Sequence, residues 1–279
     1  MMTSRAPYLT PFRMSLRTVL SVMAGAILMT ACSKDRTTSA NAQGVGDTIG
    51  TAHRARVIEA STTPYRVSTI ANPGSVTGTV QFTGAPKGDT VLIVPPDQNG
   101  CAKLLTIRRL ERHSGNVAGV VVWISDVHEG KALPLAKRYE LDNDDCAWDP
   151  GIQAVLSGGT LNVTNSDPLV ERAVATDISS GDTAAVAPFT DDGQLIPIDA
   201  MLRKPGVYEF SVESRPMSRA WVAVFDHPYF AVTGANGAFT IDGVPPGTHQ
   251  VRAWHPMLGL ASGTVTVAAG QAATVTLHW

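Results

Sequence analysis

Charge is scarce in this 279-residue chain: only 16% of residues are Asp, Glu, Lys or Arg, and the formal net charge is −2. So small a balance excludes the basic footprint of a nucleic-acid binder. Enzyme signatures are missing too. There is no Gly-x-Ser-x-Gly, no His-Glu-x-x-His, no phosphate-binding loop and no dinucleotide fingerprint. A non-enzymatic protein without a cofactor is expected. Cysteine is limited to Cys32, Cys101 and Cys146, and no histidine falls between His128 and His227. The main apolar run, Val19–Met29, is shorter than the roughly 20 residues a membrane-spanning helix needs.

What is present begins with a targeting segment. Arg13 and Arg17 precede Val19–Met29, and Thr30-Ala31-Cys32 follows, the order of a secretory signal. The stretch Leu28–Cys32 resembles a bacterial lipobox. That resemblance implies a signal peptide over 1–31, lipidation of Cys32, and an extracytoplasmic protein anchored to a bacterial membrane, facing the periplasm or the cell surface. An ordinary cleaved signal is the alternative. Residues 32–72, rich in Ser, Thr, Ala and Gly without a sustained period, read as a flexible tether. In an exported protein, Cys101 and Cys146 are expected to form a disulfide, whose loop of about 45 residues would stabilise the fold by roughly 3–4 kcal/mol. A pair of metal-binding thiols is the alternative.

Folded sequence starts near Gly74. Ser75–Phe82 alternates apolar and polar residues, Val91–Val94 is a second strand, and Val117–Ile124 is a near-continuous apolar run. Such a run predicts a central strand covered on both faces. Leu104–Glu111, with Arg108, Arg109 and neighbouring Arg112, reads as a solvated edge or loop.

Two stretches resemble cupredoxins, the small β-sandwich copper proteins of plastocyanin type. Tyr139–Asp167 contains Trp148-Asp149-Pro150, the strand Ile152–Leu156, Gly158-Gly159, and Leu161–Asn165 followed by Asp167. Gly206–Phe230 contains strand-like Val207–Val212, a break around Pro216, and a second strand Ala220–Phe225. Laid on the family's pattern, the copper ligands His, Cys, His and Met fall on Glu171, Val212, Arg215 and Ser218. None of these is the expected ligand, and Arg215 keeps its charge and repels a cation. The resemblance thus implies a degenerate site without metal. It also implies that Arg215 and Glu171 meet as a half-exposed ion pair, worth about 0–1 kcal/mol.

The C-terminal part changes style. Thr233, Gly237, Phe239, Ile241, Val244, Pro245, Gly247 and His249 follow the signature of the carboxypeptidase regulatory-like, or prealbumin-like, module, which that stretch resembles. The expected fold is all-β: a cupredoxin-like Greek-key sandwich over 73–226 and a smaller prealbumin-like sandwich over 227–279. A second arrangement stays open. The opening GSVTGTVQF also resembles the start of the prealbumin-like module, so the N-terminal strands would pair with the C-terminal module and the first domain would be an insertion.

Other candidates are weaker. His227, His249, His255 and His278, with Met257, would suit a histidine-based metal site, or His227-Pro228 and His255-Pro256 close turns. Asp142, Asp144 and Asp145 lack the spacing of a calcium loop and read as a solvated acidic loop. Trp123, Trp221 and Trp254 lie within apolar strands, whereas Trp148 and Trp279 are the candidates for an exposed sugar-stacking platform. Three functions are carried forward. The leading one is a membrane-tethered binding or accessory protein with a copper-free site, its partner an envelope protein or glycan. The others are a carbohydrate-binding module and a copper electron-transfer protein with atypical ligands.

Overall fold

A strand at Gly74–Gln81 pairs with partners more than 150 residues away: antiparallel to Ala238–Val244 (Ile241 opposite Val76) and parallel to Ala272–His278 (Leu277 opposite Val80). This computed structural model describes residues 38–39, 57–59, 61–85, 90–93, 104–107 and 110–279. The expected signal peptide, Cys32, Cys101, Arg108 and Arg109 lie outside them. The described residues belong to one compact unit and are all-β, with a single 3-10 turn at Met201–Arg203 and no α-helix among them.

Two sandwiches are present, and their make-up decides between the two arrangements. One sheet of the first sandwich is built on Gly74–Gln81 and its partners. The facing sheet runs Phe230–Val232, Val121–Ile124, Gly247–His255, Gly259–Val267. Val76, Val80, Phe239, Ile241 and Leu277 from one sheet enclose a core with Val122, Ile124, Val251 and Val265 from the other. The strands near residues 75 and 121 therefore complete the C-terminal module, and the domain boundaries 73–226 and 227–279 are corrected. The second sandwich, from Arg138 to Phe225, is inserted between Val121–Ile124 and Phe230–Val232. The physical reason is edge completion: Val121–Ile124 fills the gap between Phe230–Val232 and Gly247–His255 and hydrogen-bonds to both. Without it Phe230–Val232 has no ladder, and Gly247–His255, paired on its other side with Gly259–Val267, is left with an open edge.

The inserted sandwich packs a sheet ordered Ile152–Leu156, Arg215–Phe225, Gly206–Val212, Glu171–Asp177, Thr183–Phe189 on one ordered Ala147–Asp149, Arg138–Asp144, Thr160–Asn165, Gln194–Ile198. Leu141, Leu161 and Val163 meet Ala173, Phe210, Val222 and Val224 in its core.

The apolar runs in the sequence acquire a reason here. Side chains alternate across a strand. Val122 and Ile124 face the first core, while Val121 and Trp123 join a third cluster with Trp254, Val207, Ala223 and Phe225. On the other side, Val222 and Val224 face the second core while Ala223 and Phe225 face the same seam. Both strands are covered on both faces, as the near-continuous run at 117–124 predicts.

The expected flexible tether over 32–72 is corrected in its second half. Val57 and Ile58 are buried in the seam. Arg66–Val67 pairs in parallel with Glu129–Gly130, and Tyr65 donates its hydroxyl to the Lys131 carbonyl at 2.7 Å. A polar composition predicts a free chain only when no apolar residue finds a groove, and the seam supplies one. Further upstream, Thr38–Ser39 lies parallel to Val275 and Thr276. Leu104–Ile107, expected within a loop or edge, is a strand paired with Thr90–Ile93.

Candidate functional site

Strand pairing carries three connections to one end of the inserted sandwich. Arg138–Asp144 and Ala147–Asp149 form a hairpin whose turn is Asp145-Cys146. Both turn residues have positive φ, 48° and 62°, the left-handed geometry of a two-residue hairpin turn. Asn143 pairs with Asn165, so the loop after Thr160–Asn165 lies beside that turn. Ala173 pairs with Val212, and Val212 pairs with Arg215 across the tight turn Glu213-Ser214. The break expected around Pro216 thus sits earlier, and Arg215–Phe225 is one strand containing the proline. Proline is tolerated there because the other neighbour, Ile152–Leu156, begins pairing only at Trp221, leaving no ladder bond for the missing N–H to make.

The inward faces of these strands end in polar residues. Asn143 continues the inward phase of Leu141, Asn165 that of Leu161 and Val163, and Glu171 that of Ala173 and Ala175. Buried polar groups require partners, and these find one another. Arg215 bonds Glu171 Oε1 and donates from Nη2 to Asp167 Oδ2 at 3.3 Å. Asn143 Nδ2 donates to Asp167 Oδ2 at 2.9 Å, to Asn165 Oδ1 at 3.2 Å and, at the limit of hydrogen bonding, to Glu171 Oε2 at 3.5 Å. The Cys146 backbone N–H donates to Asp167 Oδ2 at 3.0 Å. Asn165 Nδ2 donates to the Asp167 and Leu169 carbonyls, and Ser214 Oγ donates to Glu171 Oε1 at 3.4 Å.

The ion pair between Arg215 and Glu171 is present, but its expected half-exposed setting is corrected. The Arg215, Asp167 and Glu171 side chains are only 5%, 1% and 3% exposed. The pair is not worth the 0–1 kcal/mol of a surface contact. Removing one partner would leave a buried charge uncompensated, which costs about 3–5 kcal/mol. Burial pushes the Asp167 carboxyl above the usual range, against the pull of the Cys146 N–H and Arg215, with Asp144 and Asp145 adding to the rise. Burial likewise pushes Glu171 up, Arg215 pulls it down, and the Asp167 charge pushes it further up.

Sequence reasoning placed Glu171 and Arg215 here but assigned no role to Asp167 or Asn143. Their signal was available: both are polar residues at inward positions of otherwise apolar strands or just beyond them. Of the other two degenerate positions, Val212 is buried in the second core, and Ser218 is buried three residues beyond Arg215. The four residues do not suit a copper ion. They bring a cation, a carboxylate, an alkyl group and a hydroxyl, with no thiolate or imidazole. Cys146 is fully buried at the hairpin turn, while its expected partner Cys101 lies outside the described residues.

The other candidates disperse. Trp148, expected exposed, is buried and packs edge-on against Phe210 at 6.0 Å. Trp279 is partly buried against the first core, and its backbone N–H bonds the Gln81 carbonyl. Trp148 is thereby lost to a sugar platform, while Trp279 stays partly exposed. His227 and His255 do close turns: each Nδ1 accepts a backbone N–H two residues on, from Tyr229 and Met257, both at 3.2 Å. Burial pushes each of these rings down to about 4. His249 instead bonds the Pro245 carbonyl at 2.8 Å. Asp142 accepts the single Ser166 hydroxyl proton, its two carboxylate oxygens lying 3.0 and 2.8 Å from Oγ, and Asp144 and Asp145 are exposed. Among the described residues no three His, Cys, Asp or Glu converge on a common point for a metal, and no helix is long and apolar enough to cross a membrane.

Comparison with known proteins finds the Carboxypeptidase regulatory-like domain family over residues 210–279, about a quarter of the chain. No curated protein matches its sequence. Among solved structures, a purple cupredoxin from Nitrosopumilus maritimus is 16% identical with a TM-score of 0.28, over 31% of this chain and 99% of that one. A reduced auracyanin from Roseiflexus castenholzii is 17% identical with a TM-score of 0.26, over 33% and 99% respectively. A Cu(I) form of an amicyanin mutant is 15% identical with a TM-score of 0.28, over 34% and 86%. These structural likenesses are weak and partial. What is established is that the described residues are all-β and form two sandwiches, and that residues 210–279 match the Carboxypeptidase regulatory-like domain family.

Proposed function

We propose that this chain is a non-enzymatic binding or accessory protein, tethered outside the cytoplasm by a lipid on Cys32. In this reading its inserted sandwich has a cupredoxin-like frame in which side chains take the place of a metal. The observation that carries it is the buried cluster of Arg215, Glu171, Asp167 and Asn143. A guanidinium in the space between those loops opposes a cation there and offers it no lone pair. The cluster ties three connections into one fixed surface, as a protein that presents loops to a partner requires. Cys101 and Cys146 pair as a disulfide in this reading and brace the same hairpin turn.

Copper titration tests the site. Purified protein given Cu(II) should develop no intense visible band and retain no stoichiometric copper after desalting. A blue, reversibly reducible protein would end the metal-free reading. The anchor is tested separately: Cys32→Ser should release the protein from membranes or leave an unprocessed precursor, and a variant still processed and membrane-bound would remove lipidation from the proposal.

A further inference from the structure

Two buried polar atoms of opposite kind are left without a partner on the hairpin of Arg138–Asp144 and Ala147–Asp149, and we infer that they hold one internal water molecule between them. The atoms are Asn143 Oδ1, an acceptor, and Trp148 Nε1, which is only a donor. Neither has a hydrogen-bond partner among the described residues, and Asn143 and Trp148 are only 1% and 6% exposed. The inference goes beyond the reading above and depends neither on the lipid anchor nor on the charge of the cluster.

Strand register brings the two side chains together. Asn143 pairs with Trp148 across the hairpin, and directly opposite residues stand on the same face with Cβ atoms about 5 Å apart. On its other side Asn143 pairs with Asn165. Its Nδ2 is turned that way, with Asn165 Oδ1 at 3.2 Å, Asp167 Oδ2 at 2.9 Å and Glu171 Oε2 at 3.5 Å. A flipped amide would set Oδ1 against those three acceptor oxygens, so the hydrogen bonds fix its orientation. With Nδ2 committed toward Thr160–Asn165, Oδ1 is left for the side of the hairpin that carries Trp148. The indole packs edge-on against Phe210, a ring with no oxygen to accept its N–H.

Leaving both atoms dry would cost the full desolvation of each. They do not bond each other, so whatever joins them must accept from the indole and donate to the amide oxygen. A metal cation accepts nothing from an N–H. An anion donates nothing to Oδ1 and would stand close to the Asp167 and Glu171 carboxylates. Water does both, and two polar partners suffice for a buried water. Asn143 is then tied on both sides, by side chains toward Asn165 and through the water toward Trp148. The water thereby extends the polar network to the second strand of the hairpin, next to the turn whose Cys146 N–H holds Asp167.

NMR of the purified full chain labelled with ¹⁵N-tryptophan tests this in solution. Of the five indole signals, the one removed by Trp148→Phe belongs to Trp148. In wild type that N–H should show a cross-peak to water that changes sign between laboratory-frame and rotating-frame Overhauser spectra, as a bound water does and hydrogen exchange does not. No water peak, or an exchange peak alone, would overturn the proposal. A crystal structure of the unaltered protein reads the same point without any variant. One water should lie within about 3.2 Å of both Trp148 Nε1 and Asn143 Oδ1. A direct bond between the two atoms, or no water density beside them, would overturn it. Copper uptake would end the metal-free reading without bearing on this water.

Discussion

In the inserted sandwich, Asp167, Glu171 and Arg215 are buried with a cation among them. In the two-part sandwich and the chain entering it, His227 and His255 are buried as neutral rings, each closing a turn through Nδ1. The contrast separates two ways of keeping a polar side chain out of water. A histidine meets the need locally, with a backbone N–H two residues away, and simply does not take up a proton at neutral pH. The charged cluster needs three connections to arrive together, and it repays them by fixing their relative positions. One device is indifferent to the rest of the fold, while the other depends on it.

The contrast would be broken most directly at Arg215. Arg215→Leu should destabilise the protein by about 3–5 kcal/mol, because Asp167 and Glu171 lose their cation. Adding Asp167→Asn and Glu171→Gln to the same variant should recover most of that loss. Urea denaturation checks both, and a small effect of the single change would show that the pair behaves as a surface contact. The next effect comes from acid. His227 and His255 have folded values of about 4 against the usual 6.5, so the unfolded chain binds more protons between those limits. Stability should therefore fall as pH drops from about 6.5 to about 4, by at most roughly 3 kcal/mol for each ring. Asp167 and Glu171, raised in the fold, act in the opposite sense, losing stability as pH rises. Unfolding curves of His255→Asn and His227→Asn should show a flatter acid limb than wild type. The smallest effect belongs to Arg66 and Glu129, an ion pair at 3.1 Å with both side chains mostly exposed. Arg66→Ala should cost less than about 1 kcal/mol and lose even that in high salt. A larger cost would mean that the docked residues from Val57 to Asn72 depend on charge and not on the packing of Val57, Ile58 and Tyr65.

Part of the candidate site was legible from particular residues. Arg215 and Glu171 could be brought together by laying two loops on a family pattern, and they do meet. Their energetic weight was misjudged because exposure is a property of neighbours: the turn Asp145-Cys146 and the loop carrying Asp167 close over the pair. Asn143 and Asn165 were accessible in principle, since extending the inward phase of Leu141 and Val163 by one step lands on them. That step predicts buried polar groups but not which of them will bond. Trp148 shows the reverse failure. Its neighbours Asp149 and Pro150 are exposed, and the local pattern suggested an open aromatic, whereas Phe210 from another strand covers it.

A resemblance to a family signature points to a prealbumin-like module at the C-terminus, whereas the chain's pattern by itself determined that the fold is all-β and that Val117–Ile124 and Trp221–Phe225 run through well-buried strands. Those follow from alternation, turn residues and spacing, which act over a few residues. Only the tertiary structure decided that Gly74–Gln81 and Val121–Ile124 belong to the C-terminal sandwich, that the second sandwich is inserted, and that Val57 and Ile58 seal the seam. Each of these depends on which strand edge or groove remains uncovered once the others have paired. A strand's hydrogen-bonding edge is the same whatever its sequence, so local residues do not reveal the distant partner. The same holds for Arg215, whose burial depends on loops reaching it from strands more than forty residues away.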